Sequence, residues 1–175
     1  AGNDIDVDGG SGDDIVRGGG NEDTVHGGTG IDQVLGDAGD DKLYGDAGNA
    51  GDQAGQRLIG GTGRDELFAY AELGDSTETG DQLFGESGSD FLRGNLRADT
   101  LIGGQGNDYI HGDELDGPNY DKNTNAATTG GDDFIKGDSG EDQIFGGGGD
   151  DTIWAGAGTD IIRAQAGDNT VYGGG

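Results

Sequence analysis

Thirteen aspartates recur at one offset within a nine-residue register, most of them with glycine-rich sequence just ahead. In alternate repeats they are Asp23, Asp41, Asp65, Asp90, Asp108, Asp142 and Asp160. In the intervening repeats they are Asp14, Asp32, Asp81, Asp99, Asp133 and Asp151. The glycines ahead of them include Gly10 and Gly12, Gly28 and Gly30, Gly61 and Gly63, Gly104 and Gly106, and Gly147 and Gly149. Glycine turns expose backbone carbonyls, and the aspartates add one carboxylate per repeat. Carboxylates mixed with carbonyls are the ligands of calcium, which takes six to eight oxygens. Magnesium fits less well, because it resists the dehydration that a carbonyl cage demands. Aspartate is also a common turn former, but turn chemistry alone does not call for the same offset thirteen times.

The elements that would position these groups are set by the period. The unit begins as GGSGDDIVR at 9–17 and recurs as GGGNEDTVH, GGTGIDQVL and GDAGDDKLY. It returns in phase to GGGGDDTIW at 146–154, AGAGTDIIR and AQAGDNTVY, so that twelve regular units and three longer ones (45–59, 69–84 and 112–136) fill residues 9–172. Position 8 is aliphatic in all fifteen, from Val16 to Val171, although the chain has only 26 such residues. Position 6 is Asp except at Gln56 and Asn169. Position 4 is Gly in ten of the twelve regular units, with Asn21 and Arg97 departing.

Positions 7–9 then read as a short strand with one inward residue between two outward ones. The glycine half must turn sharply, through backbone angles open mainly to glycine. A strand and a turn make half a coil, so two units make one. The expected fold is all-β, a right-handed parallel β-roll solenoid forming a single domain over 1–175, with position 8 inward throughout. Its coils would lie about 4.8 Å apart and build a rod on the order of 35 Å long. The core is single file, too thin to offset chain entropy unaided, so bound metal should supply folding free energy.

The three long units are the fifth, seventh and eleventh, so their insertions, at about 46–55, 70–80 and 113–131, should leave along one edge of the roll. The opposite edge would carry seven stacked aspartates, Asp23 to Asp160, enclosing six sites. The interrupted edge offers four pairs, 14/32, 81/99, 99/133 and 133/151. About ten calcium ions would take the net charge from −27 to about −7.

Composition excludes several classes. With 36 acidic against 9 basic residues, direct nucleic-acid binding and membrane insertion are not expected. No apolar run approaches a membrane helix. Cysteine is absent, which removes disulfides and thiolate sites. Forty-three glycines and one proline in so acidic a chain would suggest disorder, were it not for the phase of the repeat.

The GGxGxDxUx pattern, with U aliphatic, resembles the calcium-binding repeats of RTX (repeats-in-toxin) proteins over nearly the whole chain. The resemblance implies a parallel β-roll with calcium in the turns between successive coils. It also implies type I secretion from Gram-negative bacteria, folding only outside the cell, and hence a secreted or cell-surface setting. Family members carry this module beside toxins, proteases, lipases, adhesins or surface-layer domains, so the repeat does not identify a cargo.

Other features are weaker. Asp4 to Gly9 reads DIDVDG, the first half of an EF-hand loop, but Ile15 stands where the bidentate Glu belongs. It is taken as an irregular first repeat with room for one further ion. His26 and His111 both occupy position 9 of even units, four coils apart, too far to share zinc, and are expected to be exposed strand residues. Arg17, Arg93, Lys136 and Arg163 at position 9 read as solvated charges. Leu35, Ile59, Phe84, Ile102, Trp154 and Tyr172 form an outward apolar stripe. No HExxH, GxSxG, GxGxxG or phosphate-loop motif occurs, so no catalytic role is expected. The alternatives to a calcium-folded module are an adhesive or lattice-forming surface module and an ice-binding solenoid. For the last, Gln33, Arg57, Gln82 and Phe134 break the Thr ladder of Thr100, Thr152 and Thr170. The ends, AGND and GGG, fit flanking domains of a larger chain or end-to-end self-association.

Overall fold

The computed structural model describes residues 6–46, 55–69, 79–113, 120–121, 126–127 and 130–175. No helix occurs among them. Chain order alternates between two parallel sheets. The first holds β1 (Asp6–Asp8), β3 (Thr24–Gly28), β5 (Lys42–Asp46), β7 (Glu66–Phe68), β9 (Phe91–Arg93), β11 (Tyr109–His111), β15 (Gln143–Gly147) and β17 (Ile161–Gln165). The second holds β2 (Ile15–Gly20), β4 (Gln33–Ala38), β6 (Arg57–Thr62), β8 (Thr79–Ser87), β10 (Ala98–Gln105), β14 (Phe134–Ser139), β16 (Thr152–Ala157) and β18 (Thr170–Tyr172). Strand neighbours within each sheet are therefore two units apart, and the fold is a parallel β-roll with two nonapeptides per coil. A small antiparallel pair, β12 (Tyr120–Asp121) with β13 (Ala126–Ala127), stands outside both sheets.

Register follows the aliphatic position. Val7, Val25, Leu43, Leu67 and Leu92 face one another down the first sheet, continued by Ile110, Ile144 and Ile162. Val16, Val34, Leu58 and Leu83 run down the second, continued by Leu101, Ile135, Ile153 and Val171. Thirteen of the fifteen position-8 side chains, Val16 to Ile153, are buried. Ile162 packs against this core only in part. Val171 departs from expectation. It keeps register with Ile153, but β18 is the last strand of its sheet, so no coil covers it and it is 45% exposed. Val7 in register with Val25 makes the opening segment an extra strand, as an irregular first repeat requires.

Apart from β18, the strands of the second sheet are longer than three residues. Pairing runs on through positions 1–3 of the next unit, as in Asp37 with Gly61 and Ala38 with Thr62. Alternation then turns position 1 inward as well. Where it is alanine, at Ala69 and Ala155, the methyl is fully buried, and Ala164 packs against the same core.

The outer face of the first sheet is a ladder of rings. His26 stacks on Tyr44 with centroids 4.7 Å apart, Tyr44 on Phe68 at 5.2 Å, and Phe91 on Tyr109 at 5.5 Å. His111 lies against Phe145 at 4.3 Å and is 1% exposed, so the expectation of an exposed histidine fails there. Ring stacking along the strand repeat covers it. Arg17 pairs with Asp37 and Lys136 with Asp138, both at 3.0 Å, so these position-9 cations are not merely solvated. On the second sheet Leu35, Ile59, Phe84 and Ile102 are half-buried, while Trp154 and Tyr172 are stacked and exposed.

The expected insertions at 46–55, 70–80 and 113–131 fall largely outside the described residues. The strands that flank them are β5 and β6, β7 and β8, and β11 and β14. Each pair passes from the first sheet to the second.

Candidate metal centre

Most of the recurring aspartates stand just before a strand, with Asp81 and Asp99 inside the longer β8 and β10, and the structure stacks them into two columns. From Asp41 down one column and Asp32 down the other, one oxygen of each carboxylate is committed to the backbone. Oδ1 of Asp41 accepts from the N–H of Asp23 at 2.8 Å, Asp65 from Asp41 at 2.9 Å, and Asp90 from Asp65 at 2.8 Å. The series continues through Asp108, Asp142 and Asp160. On the other edge Asp32, Asp81, Asp99, Asp133 and Asp151 accept in the same way. The two exceptions at position 6 preserve the bond: Gln56 Oε1 accepts from Asp32 N at 2.7 Å and Asn169 Oδ1 from Asp151 N at 2.8 Å. Every coil is thus tied to its neighbour by a side-chain rung in phase with the strand ladder.

The second oxygen is different. Oδ2 of Asp14, Asp32, Asp41, Asp65, Asp90, Asp108, Asp133, Asp142, Asp151 and Asp160 is buried without a hydrogen-bond partner. It curls over position 1 of its own unit: a Cβ built on Gly36, Gly60, Gly85 or Gly103 would run into it. Asn169 shows what that atom faces. Its Nδ2, standing where an aspartate would place Oδ2, donates to the carbonyls of Ala164 at 3.3 Å and Gly167 at 3.4 Å, positions 1 and 4 of the same unit. Gln56 likewise turns Nε2 onto the Gly30 carbonyl at 2.6 Å. With aspartate in place, an anionic oxygen points at carbonyl oxygens, an arrangement that a bound cation, or a proton on the carboxylate, would stabilise.

Electrostatics agree. Burial, opposed by the ladder hydrogen bond and reinforced by neighbouring carboxylates, pushes Asp65 and Asp108 up to about 6 and Asp90 to about 7. Asp151 rises to about 7 for the same leading reason. Asp32, Asp41 and Asp142 are also raised, and Asp99 and Asp133 well above the usual range, burial being the largest cause throughout.

The glycines divide by role. Gly10, Gly28, Gly61, Gly104 and Gly147 at position 2 all have positive φ, but so do Asp37, Glu86, Asp138 and Gln165, near +70°. Position 2 therefore tolerates side chains at some strain. Position 4 is stricter. A Cβ on Gly63, Gly88, Gly106 or Gly140 would strike the carbonyl of the position-4 glycine one coil away. Gly12, Gly30 and Gly149 share the left-handed angle. Asn21 is allowed there because it sits in the first full coil, where it supplies the carbonyl that Gly39 crosses.

Sequence reasoning overlooked a second rung at position 5. Asp13 Oδ1 accepts from Ile31 N at 2.9 Å, Asp40 from Arg64 N at 2.9 Å, Asp132 from Asp150 N at 2.8 Å, and Asp150 from Asp168 N at 2.7 Å. These bonds run opposite to the position-6 rungs. The signal was present as Asp, Asn or Ser at position 5. Also overlooked was Asp113, buried where Gly131 and Gly148 donate to it and pushed up to about 8 by that burial.

Among the described residues, no three acidic or histidine side chains converge closely enough to hold a metal on their own. A site here must draw mainly on carbonyls, with one or two carboxylates. That donor set is all oxygen, and it suits calcium. The residues present fit that ion wherever Oδ2 is unpartnered.

Compared with curated proteins, the chain matches none. The family model described as the RTX calcium-binding nonapeptide repeat (4 copies) matches residues 1–34, 17–49, 79–116, 127–162 and 154–175, together more than three quarters of the chain. With its nonapeptide columns, its parallel roll and its all-oxygen turns, the chain belongs to the family of RTX calcium-binding nonapeptide repeats, and it is a calcium-binding β-roll module.

Proposed function

We propose that the position-6 carboxylates hold calcium between successive coils, and that this binding folds the chain. Asp23, Asp41, Asp65, Asp90, Asp108, Asp142 and Asp160 would serve one edge, and Asp14, Asp32, Asp133 and Asp151 the other, with turn carbonyls at positions 1 and 4 completing each site. Asp81 and Asp99 belong to the same columns, and the full set has room for about ten ions. The observation that carries this reading is the buried, unpartnered Oδ2 at unit after unit, where an amide nitrogen in the two exceptional units finds carbonyl partners. The role is that of a non-enzymatic switch in a secreted or surface protein. In low calcium the columns repel and the thin core leaves the chain unfolded; extracellular calcium, matching dissociation constants of roughly 10⁻⁴–10⁻³ M, folds it cooperatively. Residues 1–175 act as one roll, with the three insertions carried on one edge.

The test is circular dichroism with light scattering. In chelator the chain should give a coil spectrum and a large hydrodynamic radius. Calcium should bring a steep change to β signal and a smaller radius, and magnesium should be a poor substitute. A β spectrum that persists in excess chelator refutes the switch.

A further inference from the structure

One level of the interrupted edge, which the odd-numbered units form (the odd edge, opposite the even edge of Asp23 to Asp160), does not fit calcium. The unit at 94–102 reads GNLRADTLI, with Asn95 and Arg97 at positions 2 and 4, where positive-φ residues form the turn elsewhere. Neither has positive φ, and both are fully buried, at 1% and 0% exposure. Asn95 reaches across to the coil below and donates Nδ2 to Asp81 Oδ2 at 2.7 Å. Its own N–H donates to Asp99 Oδ2 at 2.7 Å, and its Oδ1 accepts from Arg97 N at 2.9 Å. The oxygens that stand unpartnered in the other units are therefore both occupied here, by N–H groups. Burial holds the Asp81 carboxyl above its ordinary range, and the Gln56 backbone, the Asn95 side chain and the Arg97 charge each oppose that push. The backbone is also remade. Strand β10 starts early, at Ala98, and pairs with Thr79 of β8, with a register shift before Thr100, so a strand ladder replaces part of the turn.

We infer that the level between Asp81 and Asp99 is closed by Asn95 and Arg97 instead of calcium, as a metal-independent clasp in the middle of the roll. A calcium ion and an N–H donor cannot share the same carboxylate lone pairs, and a buried guanidinium beside Asp81 already supplies the positive charge that the column needs. The level between Asp32 and Gln56 is also closed by the chain, since Gln56 Nε2 donates to Gly30 O and its Oε1 accepts from Asp32 N. The odd edge thus has internal levels held by protein donors, and no such side-chain donor appears on the even edge among the described residues. This inference rests on the calcium reading of the other aspartates, and it reduces the ion count by one.

The experiment restores the repeat. The double variant Asn95→Gly with Arg97→Gly turns the unit into GGLGADTLI. Native mass spectrometry in saturating calcium should find one more ion per chain than in the unaltered protein. An equal or smaller number in a folded double variant overturns the clasp. The unaltered chain supplies a second measurement, independent of the variant's folding. On transfer from calcium to chelator, hydrogen exchange should reach β8 and β10 about tenfold more slowly than β4 and β16, as charge-assisted hydrogen bonds that need no metal would impose. Exchange at β8 and β10 as fast as at β4 and β16 overturns it. If chelator leaves every strand protected, the calcium reading fails instead, and the ion count alone judges the clasp.

Discussion

Asp90 separates the two tasks of a position-6 carboxylate. Its Oδ1 accepts from Asp65 N at 2.8 Å, its own N–H donates to Asp108 at 2.9 Å, and its Oδ2 is buried without a partner. Asp90→Asn keeps an oxygen for Asp65 and puts an amide nitrogen where Oδ2 was, the geometry that Asn169 already displays. It removes only the anionic ligand. Asp90→Ala removes both, and strands a buried N–H at a cost of about 1–3 kcal/mol. In saturating calcium, urea unfolding should therefore place Asp90→Ala below Asp90→Asn by about that amount, with equal slopes. Both variants should lose one or two calcium ions by native mass spectrometry, because on the proposed reading the carboxylate would be shared by the levels above and below. Equal stability of the two variants would show that the Oδ1 rungs contribute nothing. An unchanged ion count in Asp90→Asn would show that Oδ2 is not a ligand.

Other outcomes follow from the same geometry. In the metal-free fold Asp65, Asp90, Asp108 and Asp151 are raised to between about 6 and about 7. Their contribution to stability is fully present below the unfolded value near 4 and is lost as pH rises through 6–7. In chelator, β signal by circular dichroism should therefore be greater at pH 4.5 than at pH 7.5, and the calcium midpoint should rise as pH falls, since protons compete for the ligands; no difference between the two pH values would contradict the raised carboxyls. Gly88→Ala drives a methyl into the Gly63 carbonyl at φ +152° and should cost several kcal/mol in thermal or urea unfolding. Glu86→Gly, relieving φ +74°, should stabilise by about 1 kcal/mol. His111, held down to about 3 by burial with a smaller push from Arg93, should show ring proton shifts that stay flat from pH 8 to pH 5 by NMR. A His111 midpoint above 5 would mean that the ring is not sealed between its neighbours.

What could be read from the sequence was whatever repeats with a side chain attached. Val16 through Ile153 announced the inward column, because an aliphatic at every ninth residue has no use outside a core. The aspartates announced an oxygen-rich edge for the same reason. Position 1 stayed hidden because glycine carries no side chain to betray its direction; only Ala69, Ala155 and Ala164 hinted that it faces in. His111 was misjudged because outward on a strand was equated with exposed. Rings repeating up the first sheet bury one another, as Phe145 does His111. The position-5 rungs were missed because Asp, Asn and Ser alternate there with Ile, Arg and Glu, and only the stacked coil shows that the accepting residue sits one level from the donor.

The departures from the repeat carry the sharpest information, and their meaning depends on hydrogen-bond direction. Gln56, Asn169 and Asn95 look like erosion of a pattern when read as letters. In the folded chain each directs an N–H at oxygen atoms of the turn, where the regular units offer only more oxygen. A side chain able to donate can close a turn that otherwise needs a cation, and it does so with no change in the Oδ1 or Oε1 rung beside it. On the proposed reading the same turn can thus be completed by an ion from solution or by the chain itself. On that calcium reading, the even edge offers no such donor among the described residues, whereas Gln56 and Asn95 would let the odd edge hold coils together at levels without an ion.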